Sequence, residues 1–462
     1  MKVEDGEQSI IVIEPGGKST PDDIHSSQGV KSVDGGWPQR IRTLLTGART
    51  NKGLISLVDQ MVASATNFLT GIIIARSCSK EEFGLYMLCF SIVVFVLEVQ
   101  TSLIASPYMV YSPRFEGRRH AAYMGSSFLQ QFVLILLVLL ALAAGWVLSA
   151  QGVGPEGLSQ VLPALILVIW ALMLRESIRR VCFAGLEMMT AFFVDTTVAL
   201  VQIGSLLLLA WTHRLTPGSA FYAIGLACGL TTLSWFFLKR GSYSFKKNHV
   251  LMDFKKNLSF GKWMFASCLL WALGMNLYPW VLAFFHGTGA TGVWAACYGV
   301  IAIANPLLLG IQNFLGPKIV QSCTLNSRDG LYKFVKKVTL YYVLIILPLA
   351  LFLCIFGDRL VVLFYGEKYG GNGLVVAVLA LYLLVLAGAF TFSRALLALE
   401  QAKIYFVANI IPLVVMLTLG LYLVKQMGVI GVALGLLVGA ITTAAMQFVF
   451  FIGLTKTGHN PM

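Results

Sequence analysis

Charge is scarce in this chain. Only 12% of its 462 residues are Asp, Glu, Lys or Arg, while 57% are hydrophobic. That balance excludes a disordered chain and a solvated helical array. Cysteine pairing is missing as well. The eight Cys stand singly with no CxxC, so neither a zinc site nor a disulfide framework is encoded. They read as small apolar core residues. Six His are scattered without ligand spacing, and no Ser/His/Asp arrangement occurs. Gly17-Lys18-Ser19 resembles a phosphate loop only superficially, because the glycine required five positions earlier is Val12. Nothing here argues catalysis, a metal or a resident cofactor.

What the chain has is apolar runs, twelve of them, at about 53–75, 83–106, 121–149, 157–174, 191–211, 218–238, 259–285, 290–315, 334–356, 373–392, 404–424 and 427–454. About 20 apolar residues span a ~30 Å hydrocarbon core as a helix. The expected class is an all-α polytopic membrane protein. Lys and Arg alternate between connectors, and 28 of the 34 fall on the side that holds both termini. By the positive-inside rule both termini are cytoplasmic, and the expected location is a bacterial inner membrane. The net charge of +13 is then an orientation signal and an attraction to membrane lipids with anionic headgroups, not a nucleic-acid footprint.

Residues 1–36 carry seven acids against three Lys, with much Gly and Ser, and read as a disordered acidic tail. Residues 37–52 hold Trp37, Arg40, Arg42, Arg49 and Lys52 without an acid. They read as a basic amphipathic interfacial segment or as a topological anchor alone. Residues 455–462 form a short cytoplasmic tail.

The sequence repeats once. Gly84-Leu85-Tyr86 and Cys89 match Gly292-Val293-Trp294 and Cys297 at an offset of 208. Pro107 matches Pro317, and Leu186-Glu187 matches Leu399-Glu400. An offset of six spans keeps orientation, so the expected architecture is two parallel six-helix lobes, 53–238 and 259–454. A pseudo-two-fold along the membrane normal would relate them, with 239–258 as cytoplasmic linker. Gly274, Pro279, Asn305-Pro306, Pro348 and Pro412 interrupt helices of the second half and suggest that it bends. Gly431, Gly435 and Gly439 form a close-packing face.

Ser56-Leu57-Val58-Asp59-Gln60, then Ser64, Asn67-Phe68, Ala75-Arg76 and Glu82-Phe83-Gly84-Leu85-Tyr86 resemble the opening of the polysaccharide-transporter (Wzx-type flippase) family. That family belongs to the multidrug/oligosaccharidyl-lipid/polysaccharide exporter superfamily. The resemblance implies a V-shaped bundle working by alternating access. Its cargo would be a polyprenyl-diphosphate-linked oligosaccharide, moved from inner to outer leaflet for lipopolysaccharide or exopolysaccharide export. A polysaccharide polymerase and glycosyltransferases would be its partners. The superfamily also contains cation-coupled multidrug exporters, so fold alone does not choose the cargo.

Such a cargo needs a polar cavity with some positive charge, because an unpaired buried charge is costly. Intramembrane ionisable residues are the first candidates. Asp59, Glu98 and Asp195 lie roughly 6–13 Å deep from one side at 1.5 Å per residue. Asp59 and Glu98 would line the cavity, with at least one coupling transport to H+ or Na+, or else these carboxylates pair structurally with Arg175, Arg179 or Lys262. The diphosphate candidates are Arg114, Arg118, Arg175, Arg179, Lys262 and Arg394, since guanidinium forks suit phosphate oxygens. All of these also fit as orientation determinants. Gln60, Asn67, Asn276 and Asn305 could bind sugar hydroxyls or join helices to one another. Tyr278 and Trp280 are candidates for stacking on sugar faces.

Overall fold

A computed structural model describes residues 48–239, 243, 247–325, 328–399 and 402–456. The acidic tail, most of the 37–52 segment and residues 457–462 lie outside the described residues. From Lys52 onward the chain forms one compact unit.

The described chain is helical. The first half holds α1 (Ala48–Ser77), α2 (Lys80–Gln100), α3 (Gly117–Ala150), α4 (Leu158–Ala184), α5 (Met188–Trp211) and α6 (Pro217–Leu238). The second holds α7 (Lys247–Ala302), α8 (Asn305–Leu325), α9 (Arg328–Tyr365), α10 (Gly373–Ala398), α11 (Ala402–Val415) and α12 (Leu421–Lys456). Among the described residues nine helices are long and apolar enough to cross a membrane, with a further pair bent by 47° near Ala304. Gly287 (φ 80°) inside α7 and Gly428 (φ 59°) inside α12 have non-helical backbone and divide those helices. Only glycine enters such φ values freely. The arrangement is compatible with the twelve expected spans. Span 8 begins in α7 and ends in α8, and span 11 ends in the first turns of α12.

Local sequence sets the helix ends. Ser79 opens α2 with a reciprocal cap: Glu82 N donates to Ser79 Oγ at 3.1 Å, and Ser79 N donates to the Glu82 carboxylate at 2.8 Å. Thr216 and Ser219 do the same for α6 behind Pro217. Of the prolines expected to interrupt helices, Pro306 opens α8 at the 47° bend, while Pro279 and Pro348 lie inside α7 and α9. A π-helical turn, Met416–Gly420, follows Pro412, and another, Thr101–Ala105, precedes Pro107. The glycine face of α12 packs closely, with Gly435 against Gly420 and Tyr278 and Gly439 against Met416.

Burial sorts the helices of the first half. In α4, 67% of the apolar window is buried, against 11% in α3. So α4 is the centre of this half, and α3 turns Leu136, Leu137 and Leu140 outward. The two halves meet where the repeat glycines meet. A Cβ on Gly84 would overlap the Thr288 carbonyl, and one on Gly292 would sit 3.3 Å from Gly84 N. Gly84 and Gly292 are the positions that the sequence repeat equates.

The interval expected as linker is helical from Lys247. Asp253 and Asn257 in it are fully buried. Asp253 pairs with Arg119 of α3, while Tyr123 Oη donates to Asn257 Oδ1 at 2.8 Å and Asn257 Nδ2 to Gln130 at 2.9 Å. The opening turns of α7 are therefore bonded to the first half.

Candidate functional site

Call the end bearing the Lys- and Arg-rich connectors the basic end, and the other the sparse end. An ionic cluster lies toward the basic end of the first half. Residues 175 and 179 are four apart on α4 and share a face, as do 176 and 180. Arg175 Nη2 lies 2.5 Å from Asp195 Oδ1 on α5. Arg179 reaches Asp59 Oδ2 of α1 at 3.0 Å and Asp195 Oδ2 at 2.8 Å. It also reaches Gln60 Oε1 at 3.3 Å. Glu176 sits 2.7 Å from Arg180 and 3.6 Å from Arg175. The Asp59 and Asp195 side chains are fully buried.

Three guanidinium groups face three carboxylates, so the cluster is neutral. Pairing is what makes these charges tolerable at this depth. The structural pairing weighed from sequence is what the geometry contains, and Arg175 and Arg179 are its cationic partners. Asp59 Oδ1 and Arg175 Nε still lack hydrogen bonds among the described residues. Glu98 stands apart: it is half-buried and forms no ion pair among the described residues.

Three spaces adjoin. A chamber of about 200 Å³ lies within the first half, enclosed by α1, α2, α4, α5 and α6. Thr66, Asn67, Arg175, Asp195 and Gln202 supply its polar wall. Asn67, Tyr86 and Phe90 also border a central cavity of about 570 Å³ between the halves. That cavity is mainly apolar, and Ser64, Asn67 and Asn305 are its side-chain amides and hydroxyl apart from tyrosine. Met61 and Pro306 in turn border a groove of about 950 Å³ between α1 and α8–α9. The groove is lined by Leu57, Leu307, Ile311, Phe314, Leu344 and Ile345, with Lys318 and Lys337 toward the basic end.

The other sequence candidates do not converge. Asn276 lines a separate cleft of about 260 Å³ with Trp280, whose Nε1 donates to Ser91 at 2.9 Å. Tyr278 is buried and donates to the Met416 carbonyl at 3.0 Å, so no face of it is free for a sugar. Arg114, on the α2–α3 connection, and Arg118, in the first turn of α3, are exposed, with Arg114 over the Tyr111 ring at 5.5 Å. Lys262 is exposed on α7, and Arg394 is exposed on α10 over the Phe390 ring at 5.1 Å. Lys318 and Lys337 were missed. The available signal was that Lys337 falls inside the predicted ninth span, where a charge is unusual.

The sparse end is shut. Arg76, closing α1, donates to the carbonyls of Phe364 at 2.8 Å and Leu363 at 2.5 Å, which close α9. In return Lys368 donates to the Cys78 carbonyl, and Tyr369 Oη to the Ala75 carbonyl at 3.4 Å. Burial lowers the Lys368 ammonium below its ordinary pKa. Cations at helix C-termini also favour the local dipole. Phe83 packs on Tyr365 and Tyr369 with centroids 6.1 and 6.0 Å apart, and Phe68 on Phe364 at 5.3 Å. Together these close the central cavity on that side.

The described residues thus form a polytopic helical fold with an interior cavity shut at one end. Solved structures share it. A multidrug resistance MATE family transporter of the MOP superfamily, in an inward-facing conformation, matches with TM-score 0.71 and 14% identity, over 86% of this chain and 95% of its own. The lipid II flippase MurJ in an inward closed conformation matches with TM-score 0.68 and 15% identity, over 86% and 87%. A MOP superfamily transporter from Pyrococcus furiosus, described as having a binding pocket of reverse polarity, matches with TM-score 0.61 and 15% identity, over 87% and 94%. No curated protein matches significantly. Residues 50–322 match the family described as polysaccharide biosynthesis protein, and the chain belongs to that family.

Proposed function

We propose that this protein is a flippase. It would carry a polyprenyl-diphosphate-linked oligosaccharide from the inner to the outer leaflet of a bacterial inner membrane by alternating access, with both termini cytoplasmic. The observation that carries this is the run of joined spaces: an apolar groove with two lysines, a central cavity, and a polar chamber. Such a series suits a molecule with a prenyl tail, an anionic diphosphate and sugar hydroxyls. Arg175 and Arg179 already face carboxylates, so Lys318 and Lys337 are the better diphosphate contacts. Family membership supports the same reading, as does the fold shared with a lipid II flippase.

Coupling to H+ or Na+ is part of the proposal, with Asp59 as its first candidate because its Oδ1 has no hydrogen bond. If transport is normal in both Asp59→Asn and Glu98→Gln, that coupling is wrong. The apolar walls of the central cavity favour one other reading, a cation-coupled multidrug or metabolite exporter of the same fold.

Mass spectrometry of membrane lipids from cells with and without the protein separates the two. A polyprenyl-diphosphate oligosaccharide should accumulate on the inner leaflet when the protein is absent. An unchanged lipid profile with raised sensitivity to cationic drugs would replace the flippase with the exporter.

A further inference from the structure

We infer that the chamber inside the first half is a subsite for one neutral sugar ring of the transported glycan, held by Asn67, Gln202, Asp195 and Arg175. The inference rests on the flippase reading and names the part of the cargo that this chamber takes.

Size comes first. At about 200 Å³ against 570 Å³ for the central cavity, the chamber has room for a single ring and not a chain. The rest of the glycan would stay in the central cavity.

Hydrogen-bonding capacity comes second. The Asn67 side chain is exposed to the cavities and makes no hydrogen bond among the described residues. Gln202 uses its amide nitrogen on Thr70 at 2.8 Å, which leaves its oxygen to accept. Arg175 Nε donates no hydrogen bond, while Asp195 Oδ2 is held by Arg179 Nε at 2.8 Å. Donors and acceptors thus stand side by side around one small space. Hydroxyl groups, each both donor and acceptor, match that mixture. A purely accepting diphosphate does not.

Charge comes third. The chamber's one cation and one anion, Arg175 and Asp195, are paired at 2.5 Å. The wider cluster balances three guanidinium groups with three carboxylates. An acidic sugar would meet no net positive charge here, so the ring is neutral.

The passage comes last. Tyr86 and Phe90 border both chamber and central cavity, and their rings are stacked at 6.0 Å and 17°. Aromatic faces at the opening suit the apolar face of a pyranose.

The test uses photocrosslinking in cells that make the native cargo. p-Azidophenylalanine replaces Phe90 at the chamber in one variant and Phe314 in the groove in another. Both replacements are near-isosteric, and peptide mapping reads the adduct. The Phe90 peptide should carry a neutral hexose or N-acetylhexosamine. Adding Asn67→Ala should cut that yield about fivefold, the worth of one neutral hydrogen bond, and leave the Phe314 yield unchanged. An acidic sugar at Phe90, or a substrate-derived adduct at Phe314 with none at Phe90, overturns the subsite while the flippase stands. A lack of substrate adducts at both positions overturns the flippase reading and the subsite with it.

Discussion

Gly84 and Gly292 lie backbone to backbone at the contact between the halves, and a Cβ on Gly292 would come 3.3 Å from the Gly84 nitrogen. The same glycines mark the sequence repeat. One contact between the halves is therefore made by residues that the repeat equates.

Gly84→Val should be destabilising. Its Cβ would meet the Thr288 carbonyl, and overpacking of this kind costs about 1–3 kcal/mol. Gly145→Val, where a Cβ meets nothing within 4 Å, is the control. Thermal unfolding in detergent should show a lower midpoint for the first and none for the second.

The sparse end should loosen when Arg76→Ala and Lys368→Ala are combined. Each removes a charge-assisted hydrogen bond across the halves, and such bonds contribute about 1.5–3 kcal/mol. A cysteine at Ser64, in the central cavity, reports the change. Its alkylation by an impermeant maleimide from the sparse-end side should rise at least tenfold, by roughly 1.4 kcal/mol per tenfold. An unchanged rate would mean that the aromatic packing alone shuts this end.

Arg179 holds two buried carboxylates, so Arg179→Ala leaves both short of a partner. Removing one member of a buried pair costs about 3–5 kcal/mol. Adding Asp59→Asn should recover part of the loss, because a neutral amide tolerates the site better. A double-mutant cycle on unfolding midpoints measures the coupling. Strict additivity would show that the contact carries no energy.

Lys318→Ala with Lys337→Ala should weaken capture of a phosphate-bearing amphiphile. With undecaprenyl diphosphate in nanodiscs as the probe, the double variant should bind roughly tenfold more weakly, about one charge-assisted bond. The wild-type affinity should fall with salt. Equal affinities would reduce both lysines to orientation signals.

The apolar spans and some of the break points were legible because each is a property of consecutive residues. Apolar runs and Pro412 need no knowledge of neighbours. The site was legible only in its residue types. Asp59 and Asp195 were singled out as intramembrane charge and Arg179 as one possible partner, yet which of them pair depends on how α1, α4 and α5 are rotated. Intervals of 120 residues between Asp59 and Arg179 and 20 between Arg175 and Asp195 carry no sign of that. Asn67 and Asn276 occupy similar places in spans one and seven, but the chain puts them in different cavities. Lys318 was hidden for the opposite reason: near a basic connector, a lysine that lines a groove looks like any other.

At the sparse end, side-chain cations point at main-chain oxygens. Every residue supplies such an oxygen, so the receiving partner imposes no sequence requirement. A change at Arg76 or Lys368 needs no matching change across the interface. The carboxylate–guanidinium lattice on α4 is different, because each of its members must be exchanged together with another. The closure of the sparse end is therefore adjustable one substitution at a time, while the interior of the first half can be rewritten only in concert.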